Sequence, residues 1–233
     1  CDRRQRQMCI RDRDYNRMKY GYSGDQLDPL VLLNPSERAN YQNGSELDWQ
    51  DIMFRNALTT SHQISISGGT DATTYMASIS HLKEDGVMEN TGLKRTNIAL
   101  NITQVLNKWL TVGMGTQAVQ KEFGGEQPYL EAGLKMSPYG IYKDEEGRYV
   151  DYPMDQTLFY NPMANINATN DKTNRNVFIS TFAEIQFPIE GLSFRTNFGY
   201  NYRNEFEGTY YGRNTLSGSK VNGSASIENI HYY

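Results

Sequence analysis

The chain has no run approaching the roughly 18 consecutive apolar residues a spanning helix needs, which excludes a helical membrane protein. Histidine is scarce, and His62, His81 and His231 are too scattered in sequence to make a ligand motif. Both cysteines, Cys1 and Cys9, fall within a head, CDRRQRQMCIRDRD, that shows no apolar periodicity. Its MCIRDR resembles the translation of transposon-adapter DNA reading ATGTGTATAAGAGACAG. Residues 1–14 are therefore set aside as non-native, and long-read sequencing of unamplified source DNA is expected to give a different sequence before about Tyr15. No cysteine remains in residues 15–233, so neither a disulfide framework nor a thiolate metal site is available. A basic excess is missing too: 23 Lys and Arg stand against 27 Asp and Glu, a net charge of -4 that argues against nucleic acid.

What the chain has is alternation. HQISISGG puts Ile64 and Ile66 on one face and Ser65 and Ser67 on the other, and TTYMASISH sets Tyr75, Ala77 and Ile79 against Thr74, Ser78 and Ser80. TNIALNIT sets Ile98, Leu100 and Ile102 against Asn97, Ala99, Asn101 and Thr103. WLTVGMG sets Leu110, Val112 and Met114 against Thr111, Gly113 and Gly115. The pattern returns in VFISTFAEIQFP, with Val177, Ile179, Ala183 and Ile185 opposed to Ser180, Glu184 and Gln186. In LSFRTNFGYNYRN, Leu192, Phe194, Phe198, Tyr200 and Tyr202 share one face, and Arg195, Asn197, Asn201 and Arg203 the other. Successive side chains on a strand point to opposite faces, so each segment offers one apolar and one polar surface. Two arginines on the inner face of a soluble sandwich would be stranded, whereas the lumen of a transmembrane barrel is wet. The mean hydropathy of -0.69 agrees, because the polar half of every strand lowers the average.

The connections also point to a barrel. Links near Thr70, Asn107 and Glu190 read as short turns. The segments Glu84 to Leu93, Lys121 to Asn174 and the stretch after Phe206 read as longer loops, as does Tyr20 to Leu58. Strict alternation of short and long links is expected of outer-membrane barrels with tight periplasmic turns and extended extracellular loops. Trp109 and Phe187 are then expected at the inner interface, and Tyr200, Tyr202 and Phe206 near the outer one.

The run LDWQDIMFRNALTTSHQISISGGTDATTYMASISHLKEDGVMENTGLKRTNIALNITQVLNKWLTVGM resembles the early barrel of the SusC/RagA family of TonB-dependent outer-membrane transporters. The resemblance rests on DWQD..FR, on H.(L/I)S(V/I)SGG, on a Thr and Tyr strand, on a D.G turn and on an NKW turn. MSPYGIYKDEEGRYVDYP, FYNPMANINATND and FAEIQFPIEGLSFRTNFGYNY extend it over most of the chain from about Tyr20 to Tyr211. The resemblance implies an all-β antiparallel transmembrane barrel segment, about seven strands of a barrel of roughly 22 with a plugged lumen. Residues 15–233 are then part of the receptor barrel domain, the plug domain lies outside them, and the chain is expected to be a piece of a longer protein. The family also implies a Gram-negative outer-membrane location, a SusD-like surface lipoprotein, TonB reached through an N-terminal region, membrane lipid around the wall, and oligosaccharide or peptide cargo.

Sites for chemistry are poor. Asp144, Glu145 and Glu146 lack the alternating oxygen ligands of a calcium loop and read as a solvated acidic turn. Paired glycines at Gly68 and Gly124 lack the context of a phosphate loop and read as turns. No catalytic residue, metal or cofactor is expected. The long loop gathers Tyr129, Tyr139, Tyr142, Tyr149, Tyr152, Phe159 and Tyr160 with Arg148 and Asp151, rings and polar groups that suit recognition of a sugar, a peptide or a partner lipoprotein. Of these, Tyr129, Tyr139, Tyr142, Arg148, Tyr149, Asp151 and Tyr152 are the candidate contact residues. Arg195, Asn197, Asn201 and Arg203 are the candidate lumen-facing ones. The alternative reading is a secreted or surface all-β glycan-binding protein or glycoside hydrolase. A hydrolase needs two carboxylates flanking a cleft, and the acidic residues here fall mainly in turns.

Overall fold

The computed structural model describes residues 33–233, so the adapter-like head and the first part of the expected loop from Tyr20 lie outside the described residues. Seven strands form one antiparallel sheet in strict sequence order. They are β1 (Thr59–Gly69), β2 (Thr73–Asp85), β3 (Gly92–Asn107), β4 (Leu110–Phe123), β5 (Thr169–Gln186), β6 (Ser193–Tyr211) and β7 (Ser224–Tyr232). Each strand pairs with its neighbour in sequence, the meander that up-and-down barrels use.

Register carries the alternation across the sheet. Ile64 lies opposite Ile79, which lies opposite Ile98, then Ala118, Val177 and Tyr202. A slip of one residue would flip the whole apolar set, so this row fixes the pairing. The face it builds is bare: Ile64 is 74% exposed, Ile66 62% and Phe198 65%. Buried hydrophobic residues lie outside the strands altogether, among them Trp49, Met53, Met136 and Met163. A sheet that exposes its greasy face and keeps its packed core elsewhere is a wall for lipid to cover.

Link lengths need a correction. The links at residues 70–72 and 108–109 are short and that at 124–168 is long, but residues 86–91 and 187–192 are spans of equal length. Alternation is therefore not strict, although the four α-helices among the described residues all sit on links or leaders of one rim. The strands also run further than their apolar bands: β6 has 19 residues and β5 has 18, against the roughly 9 to 11 that cross a bilayer. Their outer ends carry polar groups on both faces, so the ladder continues where hydropathic alternation has stopped. Gly68 and Gly69 accordingly belong to β1 rather than to a turn.

Phe178 and Phe182 interrupt the polar face, since Phe182 pairs across from Asn197 and Phe178 from Asn201. Phe182 lies over Gly113 on β4, where an added Cβ would meet its ring at 2.1 Å. Glycine is required there by that close approach. Gly113→Val in the full-length protein is expected to displace the ring and cost about 1 to 3 kcal/mol. Urea unfolding in detergent micelles checks it, with Gly199→Val as control because only Phe178 approaches that site, at 4.0 Å.

At the opposite rim a small helical cap packs on itself. Its helices are α1 (Pro35–Gln42), α2 (Trp49–Met53), α3 (Leu130–Lys135) and α4 (Leu216–Ser219). Asp48 starts α2 by accepting from the backbone N–H groups of Gln50 and Asp51, which satisfies donors the helix leaves free. Trp49, Met53, Met136 and Met163 form the cap core, with Tyr142, Tyr149, Phe159 and Ile166 packed against it. Residues 33–58 and the 124–168 link thus fold together rather than standing as separate loops.

Candidate functional site

The seven candidate loop residues separate into cap-forming and exposed ones. Tyr142 packs edge-on to Trp49 at 6.0 Å and to Tyr149 at 5.4 Å. Burial, helped by the Tyr149 hydroxyl, pushes the Tyr142 phenol well above its ordinary range. Arg148 donates to Asp144 at 2.8 Å and to Glu146 at 2.6 Å, closing a hairpin on the acidic turn. Desolvation pushes the Asp144 carboxyl up, but the hydrogen bonds and charge of Arg148 outweigh it and hold it below the usual range. The backbone carbonyls of Asp151 and Tyr152 are spent inside the cap, accepting from the N–H groups of Asn161 and Asp155.

Tyr129 and Tyr139 stand nearer the solvent. The Tyr129 ring stacks on Tyr160 at 5.6 Å, and its hydroxyl donates to Glu131 at 2.9 Å. That hydrogen bond to Glu131 holds the Tyr129 phenol up at about 12. Beside it Leu130, Leu134 and Leu158 are exposed. Tyr139 meets Tyr41 edge-on at 5.2 Å and donates to Glu46 at 3.3 Å. The structure therefore brings Tyr142 and Tyr149 into one cluster at the cap core, and leaves the Tyr129 and Tyr139 clusters at the surface.

Residues whose roles the sequence did not reveal hold the cap together and tie it to the 86–91 link. Asn161 is buried, donates to the carbonyls of Tyr142 at 3.0 Å and Val150 at 2.9 Å, and accepts from the N–H of Met163 at 2.9 Å. Arg55 reaches the 86–91 link, donating to the carbonyls of Gly86 at 3.1 Å and Thr91 at 2.8 Å and lying 3.6 Å from Glu89. The signal for both was present as the NPM and DWQD..FR motifs, but a motif does not say what its residues touch.

On the wall, register places Arg195, Asn197, Asn201 and Arg203 together on the polar face. Neither arginine is stranded. Arg195 stacks over Phe182 at 4.0 Å and lies 3.4 Å from Glu184, and Arg203 pairs with Glu205 and lies over Tyr232 at 5.6 Å. These are partly exposed pairs of small worth individually, but they let charge line the face. His62 and His81 meet across β1 and β2, yet no cluster of three potential metal ligands occurs among the described residues.

A bare apolar face, a charge-lined opposite face and a packed cap at one rim define a segment of membrane β-barrel wall. No family model matches the chain. It is 28% identical over 214 residues to TonB-dependent receptor P3 of Formosa agariphila, covering 86% of this chain and 21% of that one. It is 22% identical over 158 residues to TonB-dependent receptor SusC of Bacteroides thetaiotaomicron, covering 57% of this chain and 16% of that one. Among solved structures, the RagAB peptide importer in its open-open state aligns with a TM-score of 0.65 and 23% identity, over 84% of this chain and 25% of that one. The chain is thus similar in sequence to stretches of TonB-dependent receptors, SusC among them, and in fold to part of the RagAB transporters. It spans about a fifth of the length of the curated relatives it matches. Those relatives are receptors by name, and the hydrolase reading has no support among them.

Proposed function

We propose that the complete protein sits in the outer membrane and imports oligosaccharides or peptides, drawing energy from TonB and working with a SusD-like surface lipoprotein. The observation that carries the proposal is the division of the molecule: an apolar face with exposed side chains on β1 to β4 and β6 and half-buried ones on β5, with the packed core confined to the cap. In this arrangement the links at residues 70–72, 108–109 and 187–192 face the periplasm. Trp109 and Phe187, both exposed at that rim, lie at the inner interface where amphipathic rings are favoured. The cap faces outward, and the exposed surface around Tyr129, Tyr160, Leu130 and Leu134 meets the lipoprotein or the arriving cargo. The likeness to a solved peptide transporter supports the peptide class, and the oligosaccharide class rests on the resemblance to the SusC/RagA family.

The test is growth. A strain with the complete gene disrupted is compared with its parent on a panel of oligosaccharides and peptide digests as limiting nutrient. Loss of growth on one class, restored by the intact gene, is expected; equal growth throughout, or hydrolysis of a glycan or peptide by the purified protein, contradicts the proposal.

A further inference from the structure

We propose that Arg95 and Lys121, side by side on the polar face near the cap, form an anion subsite that receives a carboxylate of the cargo. This rests on the import reading above. Register sets Arg95 on β3 directly opposite Lys121 on β4. Like charges in that position repel. Elsewhere on this face each cation has an acid beside it: Arg195 has Glu184 at 3.4 Å, Lys172 has Glu207 at 2.7 Å, and Arg203 has Glu205. Arg95 and Lys121 have no such partner among the described residues, because the positions flanking them in the same row are Leu82 and Asn174.

The two cations line a depression of about 350 Å³ together with Asn97, Gln117 and Asn176. Gln117 donates to the Asn97 side-chain oxygen at 3.0 Å, which holds these two amides in place. The depression therefore offers a planar guanidinium and an ammonium to a carboxylate, with the polar side chains of Ser80, Asn97, Gln117 and Asn176 around them for the groups next to it. A peptide terminus or acidic side chain meets that description, and so does a uronic acid with its neighbouring hydroxyls. Arg95 supplies the paired N–H groups that suit a carboxylate's two oxygens, while Lys121 adds charge. Lying a few residues from the cap end of β3 and β4, the pair stands at the mouth through which cargo enters.

The test uses the full-length transporter in detergent with four probes: tryptic casein peptides and oligogalacturonides, each as free acids and as methyl esters. In the wild type one class is expected to bind at least about tenfold more tightly as the acid than as the ester, the scale of a charge-assisted contact. In the double variant Arg95→Gln, Lys121→Gln the two forms are expected to bind alike, with ester affinity unchanged, and Arg95→Lys is expected to retain most of the preference. Equal binding of acid and ester by the wild type, or a preference that survives in the double variant, overturns the subsite. A double variant that keeps the preference but loses thermal stability overturns it in favour of an acidic group from elsewhere in the same protein. Failure of both probe classes to bind also overturns it, whereas the import reading is decided independently by growth of the disrupted strain.

Discussion

Phe198→Arg in the full-length protein is expected to cost about 2 to 4 kcal/mol of barrel stability, the penalty of a charge placed on the lipid face near the bilayer midplane. Phe198 sits on β6 between Phe194 and Tyr202, in the middle of the apolar band, and is 65% exposed. Asn101→Arg is the matching control. Asn101 lies at the same depth, since its neighbour Ile102 connects through Met114 and Thr181 to Phe198, but it belongs to the polar face. It is a cleaner control than Asn197→Arg, because Arg195 already donates to the Asn197 side chain at 3.4 Å. Urea titration of the folded fraction, read as heat-modifiable mobility on gels, gives both values. Similar losses for the two variants would contradict the assignment of faces.

Trp49→Ala is expected to destabilise the cap by about 3 to 5 kcal/mol, the range for emptying a buried aromatic site. The indole is 5% exposed, packs with Met53, Met136 and Met163, and donates from Nε1 to the carbonyl of Ser137 at 2.8 Å. Its loss leaves a cavity and removes one of the two hydrogen bonds the Ser137 carbonyl accepts, the other coming from the Gly140 N–H at 3.2 Å. The strands do not share this core, so the damage stays local: limited proteolysis is expected to cut residues 124–168 in the variant while the wall remains intact. Deleting residues 127–162 is correspondingly not the neutral change that an independent loop would allow, because it bares Trp49 and Met53. Unchanged protease resistance in Trp49→Ala would show that the cap does not depend on this core.

The faces of β1 to β6 were legible because a period of two is unambiguous wherever one side must meet lipid and the other water. Ile64, Ile79, Ile98 and Val177 each announced their side without reference to the others, and the ladder then aligned them. The strand ends were not legible. Lys83, Glu84, Lys94, Arg95, Lys121 and Glu122 are all charged whichever way they point, so nothing in the pattern distinguishes a strand that has left the membrane from a loop. Phe182 was missed on the polar face because the residue that makes room for it, Gly113, belongs to another strand. The tyrosine-rich link was recognised as a functional candidate, but its division into core and surface depends on Trp49, 88 residues before the carbonyl it binds. Contacts of that separation leave no periodic trace in a sequence.

The most direct test of the central claim, that these strands are the wall of an outer-membrane barrel, is water accessibility along β6 in intact outer membranes. Single cysteines are placed in turn from Phe194 to Arg203 in a cysteine-free version of the full-length protein, then challenged with a small water-soluble maleimide. Labelling is expected to alternate with period two, strong at Arg195, Asn197 and Asn201 and weak at Phe194, Phe198 and Tyr200; uniform labelling along the strand, or the opposite phase, would contradict the account.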